Sequence, residues 1–211
     1  MLRFVASVAT GMVAAVACSV ALGSEPLPHA SPPMRIGHEV AGPYAFYDFC
    51  HRTPHECEPD ATTSGPVVLD QQRWADLNEV NDVVNQTIIP QADIITYGVE
   101  DYWAIAEKYG DCDKYALTKQ LYLRQRGWPI SDLLVTVVRT EKGEGHALLT
   151  VRTSRGDLIL DNRQPRIVAW TQTTYTYFKR QSARNPFIWL TLDAYPERHD
   201  VDTVATLALR K

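Results

Sequence analysis

The 211-residue sequence has no basic stripe: its 21 Lys and Arg residues are scattered, and 25 acids leave a formal net charge of −4. Neutralising several phosphates requires such a stripe, so nucleic acid is excluded as a partner. No internal repeat is present, which removes solenoid and propeller architectures. Cysteine is scarce at four residues, so the chain is no disulfide-dense scaffold and its core must come from apolar side chains. Those are plentiful. With 45% hydrophobic and 22% charged residues, the composition suits one soluble globular domain of moderate size.

The one long apolar run lies at the start, where Arg3 precedes a stretch from Phe4 to Leu22 ending in Ala21-Leu22-Gly23. It reads as an export signal over residues 1–23, cleaved near Ser24, which sends the mature chain to the periplasm or outside the cell. The alternatives are an uncleaved anchor, since the run approaches the roughly 20 residues of a spanning helix, and lipid attachment at Cys18. Ala15 disfavours the latter, because such sites usually carry Leu there. Loss of the leader removes Cys18 and leaves Cys50, Cys57 and Cys112. In an oxidising compartment Cys50 and Cys57, with six residues between them, are the natural disulfide. Cys112 is then a free thiol, either buried and inert or chemically useful.

Residues 24–69 are rich in Pro, Gly, Ser and Thr and read as a loop-rich, disulfide-stapled arm, packed on the domain through Phe46, Tyr47 and Phe49. A catalytic domain is expected over 70–195, followed by a polar tail over 196–211. From Asp70 to Ile89, Trp74, Leu77, Val80, Val84 and Ile88 recur at spacings of three and four, the stripe of an amphipathic helix that Pro90 stops. Asn78, Asn81 and Asn85 share another face, read as exposed polar surface. Gly110-Asp111-Cys112-Asp113 opens a second helix to about Arg126, with Ala116, Leu117 and Leu121 toward the core. Three sequential antiparallel strands follow at Leu133–Arg139, Ala147–Thr153 and Leu158–Leu160, then β-prone runs at 167–170, 175–179 and 187–192.

Cys112 stands at the first turn of its helix, where unpaired N–H groups and the dipole stabilise a thiolate. Asp111 and Asp113 oppose this and raise the thiol pKa unless a positive group, a protonated His or a bound cation, lies nearby. His146 opens the apolar strand His-Ala-Leu-Leu-Thr-Val, where an unpartnered imidazole is costly. Asp161 ends the next strand and is placed to orient that ring. With Arg155-Gly156 at the centre of the turn, positions 146 and 161 share a sheet face but sit four residues out of opposition, so a longer turn or a bulge is needed. Singly, a strand-start His or a strand-end Asp is more often structural. The ordered set of Cys on a helix start, His on one strand and Asp on the next is the order of the papain and transglutaminase architecture.

The sequence also resembles the bacterial transglutaminase-like cysteine peptidases, which include periplasmic proteases that release large surface adhesins. The resemblance runs from Phe49-Cys50-His51-Arg52-Thr53-Pro54 through Arg73-Trp74, Val80-Asn81-Asp82-Val83-Val84-Asn85, Tyr97-Gly98, Asp101-Tyr102-Trp103, Gly110-Asp111-Cys112 and Gly145-His146-Ala147. It continues to Leu160-Asp161-Asn162 and Phe178-Lys179-Arg180-Gln181-Ser182. It implies an α+β fold of the papain/transglutaminase-like kind, with the nucleophile at a helix N-terminus packed on an antiparallel sheet. It also implies peptide-bond hydrolysis by a Cys112–His146–Asp161 triad through a thioester. In the adhesin-releasing members calcium is held by acids flanking the nucleophile, which map onto Asp111 and Asp113; it supports the site and is not required for the chemistry. The sequence departs from them at Lys114, where they carry another acid, and Asp113 is shorter than their usual Glu. The implied partners are a repeat-rich surface adhesin as substrate and an inner-membrane receptor for cyclic di-GMP. Two rival readings stand beside hydrolysis: a crosslinking transglutaminase that resolves the thioester with an amine, and a non-catalytic peptide- or receptor-binding domain. The redox reading has a direct check: thiol labelling of the mature chain should find one reactive cysteine before reduction and three after. Three beforehand would overturn the Cys50–Cys57 pairing.

Overall fold

The computed structural model describes residues 25–60 and 65–192. The expected leader with Cys18, and the tail from residue 193, lie outside the described residues. In chain order the elements are β1 (Ile36–Val40), α1 (Tyr44–Arg52), α2 (Gln71–Thr87), β2 (Ile89–Pro90), α3 (Asp93–Thr96), β3 (Tyr109–Gly110) and α4 (Cys112–Gln125). They continue with β4 (Leu133–Arg139), β5 (Gly145–Thr153), β6 (Gly156–Leu160), β7 (Val168–Ala169), β8 (Thr176–Ser182) and β9 (Asn185–Leu192). Seven strands form one antiparallel sheet in the order β1-β9-β8-β4-β5-β6-β7, and β2 pairs with β3 in a small parallel ladder. The class is α+β, as the sequence indicates. Among the described residues no helix is long and apolar enough to cross a membrane.

Helix α2 begins where the Asp70 carboxylate accepts the Arg73 N–H at 2.8 Å, a side-chain N-cap. It buries Trp74, Leu77, Val80 and Val84, and the chain is already extended at Ile88, ahead of Pro90. Helix α4 lies between α2 and the sheet. Every residue from Asp113 to Gln120 is buried, so these first turns of the helix have no solvent face and show no simple amphipathic stripe. That is why Leu123, which is fully buried, fills the core where Leu121 was expected; Leu121 is only half-buried. Leu117 and Leu123 pack with Leu77, Val80 and Val84 of α2 and with Leu133, Val135, Leu149, Val151 and Leu160 of the sheet. Each fully buried aliphatic side chain contributes roughly 1.5–3 kcal/mol relative to exposure.

The strands β4, β5 and β6 are consecutive neighbours. The β5–β6 turn sits one residue earlier than the sequence reading placed it: Thr153 pairs with Gly156, so Ser154 and Arg155 form the turn. Gly156 takes φ 97°, and a Cβ there would lie 2.3 Å from the Ser31 carbonyl oxygen, so glycine is required on both counts. This shift brings His146 and Asp161 to within two residues of opposition, the diagonal distance that long side chains span. Neither a longer turn nor a bulge is involved.

The segment before α2 contains more regular structure than a loop-rich arm. It supplies β1, which pairs with β9 at the sheet edge, and α1, whose Phe46 and Phe49 are 1% exposed. Phe46 sits edge-to-face on both Trp103 and Trp189. Cys50 of α1 is bonded to Cys57, and the Arg124–Glu56 ion pair at 2.8 Å ties that loop to α4.

Lys119 is the anomaly of this core. Its side chain is fully buried, and Nζ has no hydrogen-bond partner among the described residues. Burial pulls its pKa down to about 7, although Asp161 and Asp82 pull it partly back up. The unfolded lysine titrates near 10.4. Between these values the unfolded chain binds a proton that the native chain does not, so this group makes stability rise with pH from about 7 to about 10. Lys119→Met should therefore stabilise the protein by about 2–4 kcal/mol at pH 7, with the advantage shrinking toward pH 10. Denaturant unfolding of both proteins at the two pH values checks this, and a destabilised Lys119→Met would refute it.

Candidate active site

Cys112 is the first residue of α4. Asp111, the residue before it, has extended backbone (φ −106°, ψ −167°) and makes no side-chain cap. The helix turn therefore presents the Cys112 thiol, half-buried, to the sheet. There the backbone N–H groups of Ala147 in β5 and of Asp113 act to lower the pKa of the thiol. Burial, with the charges of Asp113 and Asp111 added, pushes the thiol up to about 12 against these two donors. At neutral pH the resting group is the thiol.

Beside Ala147, His146 is 6% exposed and shares its Nε2 with Asp161 Oδ1 at 2.8 Å. The tautomer that donates from Nε2 leaves Nδ1 as the basic nitrogen. Asp161 accepts three further interactions that hold it still. Tyr175 Oη donates to Oδ2 at 2.6 Å, the Arg163 N–H donates to Oδ1 at 3.1 Å, and the Asn85 amide donates to the Asp161 backbone carbonyl at 2.9 Å. Burial pushes the Asp161 carboxyl up, but the hydrogen bonds from His146, Tyr175 and Arg163 outweigh it and the pKa is lowered. The carboxylate is thus kept charged opposite the imidazole.

Asn81 and Asn85 are not the exposed surface that their helical spacing suggested. Asn81 is 1% exposed and its amide donates to the Pro165 carbonyl at 2.9 Å. With Asn85 it fixes the chain that follows β6. A sequence pattern of polar residues on one helical face reads the same whether water or a buried backbone receives them.

On the other side of Cys112, Asp93, Asp111 and Asp113 bring carboxylate oxygens within 4.8 Å of one another. Lys114 lies among them, fully buried: Nζ is 2.5 Å from Asp93 Oδ1, 3.0 Å from Asp111 Oδ1 and 3.3 Å from Asp113 Oδ1. Burial pulls the ammonium down, yet the carboxylates outweigh this and hold it above the ordinary lysine range. Asp113 is driven to about 9, by burial first and then by a shared hydrogen bond and charge with Asp111. The Asp93 Oδ2 accepts the Tyr102 N–H at 2.6 Å.

The family model of the bacterial transglutaminase-like cysteine proteinases (BTLCP) matches residues 36–197, which takes in every residue of this site. The chain belongs to that family. The transglutaminase-like fold follows from membership, and so does the cysteine-proteinase class. Three structures of Legionella pneumophila LapG resemble this BTLCP member. The calcium-bound form has 21% identity over 72% of this chain and 82% of that one, with a TM-score of 0.49. The EGTA-treated form has 22% identity over 69% and 75%, with a TM-score of 0.48, and a third has 22% over 69% and 77%, with a TM-score of 0.47. A search of curated proteins found no match.

The BTLCP chain therefore joins His146 to Asp161 directly and sets Cys112 against the residue after His146. Asp111 and Asp113 flank the thiol, as their sequence positions require. Trp103 is 4% exposed and packs in the core with Phe46 and Trp189. Sequence reasoning missed Asp93 and Tyr175. Asp93 sits at the start of a four-residue helix, too short to leave a periodic signal, and Tyr175 lies in a Thr- and Tyr-rich run whose polar tip gave no clue to its target. Tyr175→Phe should remove one charge-assisted bond and cost about 1 kcal/mol at pH 7. Because the folded Asp161 pKa is depressed, that contribution is present above the unfolded value near 3.9 and fades as pH falls below it. Unfolding titrations at pH 7 and pH 3 should show the gap narrowing; an equal gap would mean that the ring only packs.

Proposed function

We propose that the chain is an exported cysteine endopeptidase that cleaves a protein substrate through Cys112, His146 and Asp161. The observation that carries this reading is the 2.8 Å His146–Asp161 bond on the strand against which the helix opening at Cys112 packs, in a member of a cysteine-proteinase family. The proton of the thiol passes to His146 Nδ1 as Sγ attacks the peptide carbonyl carbon. The C–N bond then breaks, Nδ1 returns the proton to the leaving amine, and the acyl group remains on Cys112 as a thioester. Water attacks in the second half: Nδ1 takes its proton, the carboxylic acid leaves, and Sγ recovers the proton. Asp161 holds the ring in the tautomer both halves need. The N–H groups at the start of α4 are the candidate donors to the oxyanion.

Export is supported by the apolar leader sequence and by the Cys50–Cys57 disulfide, which suits an oxidising compartment. The substrate in this proposal is a large cell-surface adhesin, on the strength of the sequence resemblance. Calcium has no step in it. Its donors would be Asp93, Asp111 and Asp113, among which the Lys114 ammonium already lies.

Cys112→Ala and His146→Ala should abolish cleavage while leaving the circular dichroism spectrum unchanged, and Asp161→Asn should lower kcat by about 10⁴-fold. The assay is cleavage of an adhesin fragment by mature protein, with a labelled amine present in a parallel sample. Cleavage by Cys112→Ala would sink the enzyme reading; stable amine incorporation in place of cleavage would make it a transferase.

A further inference from the structure

We infer that Lys114 is a built-in cation for the acid cluster beside the nucleophile, so that this chain holds its Cys112 turn without a divalent metal ion. The inference concerns the ion cluster and not bond cleavage, so its failure would leave the catalytic proposal standing.

The geometry is that of a filled cation site. Three carboxylate oxygens, one each from Asp93, Asp111 and Asp113, lie within 4.8 Å of one another, the span over which a hard divalent ion gathers ligands at about 2.3–2.6 Å. Nζ lies 2.5–3.3 Å from an Oδ1 of each of these three carboxylates. An ion and an ammonium cannot share that space, and two like charges among largely buried groups repel strongly. The donor set therefore does not fit calcium while Lys114 is in place.

The ammonium is also locked there. Lys114 is fully buried. Its stem crosses Gly110 so closely that a Cβ on that residue would lie 2.8 Å from Lys114 Cβ and 3.0 Å from Cδ, which makes the missing side chain at Gly110 a condition of the arrangement. The ring of Tyr97 covers Nζ at 5.4 Å from its centroid. Asp93 carries the tether onward, since its second oxygen holds the Tyr102 N–H. One ammonium thus joins the segment before β3 to the first turn of α4 and so positions Cys112.

This places Lys114 as a positioning residue, and the readout that separates it from ordinary packing is replacement by a free ion. Native protein and Lys114→Ala are to be melted in chelator and in millimolar calcium, with calorimetric titration of calcium into both. The native melting temperature should be the same within about a degree in the two buffers, with no binding heat. Lys114→Ala should melt well below native in chelator and regain several degrees in calcium, with a measurable isotherm, because three carboxylates are then left around an open position. A native protein that loses stability in chelator and recovers it with calcium would overturn the inference. So would a Lys114→Ala protein as stable as native in chelator, or one destabilised to the same extent with and without calcium. Should Lys114→Ala yield no soluble protein, the native comparison decides alone.

Discussion

Charge at the start of α4 is the constraint around which the rest is arranged. A nucleophilic thiol at a helix N-terminus gains from the unpaired N–H groups there, but this chain flanks it with Asp111, half-buried, and Asp113, buried. Carboxylates in such a place must find a positive partner or take up a proton. Lys114 supplies the one, and the raised pKa of Asp113 shows the other. Asp93 is drawn in from a separate element, and its second oxygen fixes Tyr102. The next residue, Trp103, then lies in the aromatic cluster of Phe46 and Trp189. A chain of contacts thus links one ammonium to α1 and to β9.

The opposite flank of the thiol solves a similar problem with neutral groups. Asp161 is 1% exposed, and it is satisfied by an imidazole, a phenol and a backbone N–H on its oxygens and by an amide on its carbonyl. Two of these partners come from elements other than the β5–β6 hairpin: Asn85 from α2, and Tyr175 from just ahead of β8. The orientation of the imidazole therefore depends on how α2 and the chain before β8 dock, which is why an active site of three residues requires a whole domain.

Much of this was legible in the sequence, and the failures have physical causes. The α2 stripe and the β4–β6 succession were plain because each buries one face of a regular element, and period then reports burial. Helix α4 was recognised from its ends, but its core face was misassigned at Leu121 because the turns covered all round from Asp113 to Gln120 leave no stripe to extend into the last turn. Register in the β5–β6 hairpin came out one residue late at the turn, since the deciding contact is the close approach of Gly156 to Ser31, a tertiary fact. Cys112, His146 and Asp161 stood out because each sits at the end of an element with an apolar run beside it. Asp93 and Tyr175 gave no such contrast. Lys114 was visible as a departure from the resembling proteins, yet only folding shows that its ammonium and the acids meet.

The two strands at one edge of the sheet carry a consequence for how the molecule assembles in time. Ile36 of β1 pairs with Leu192 of β9, so this ladder joins residues almost as far apart as the described chain allows, whereas β4, β5 and β6 meet through short turns. Local pairings of that kind form early, and distant ones wait on the closure of a long loop. A chain emerging from its N-terminus displays β1 long before its partner exists. The last strand among the described residues is therefore the one that pairs with β1, and the nucleophile's helix settles on a scaffold whose β1 edge closes late.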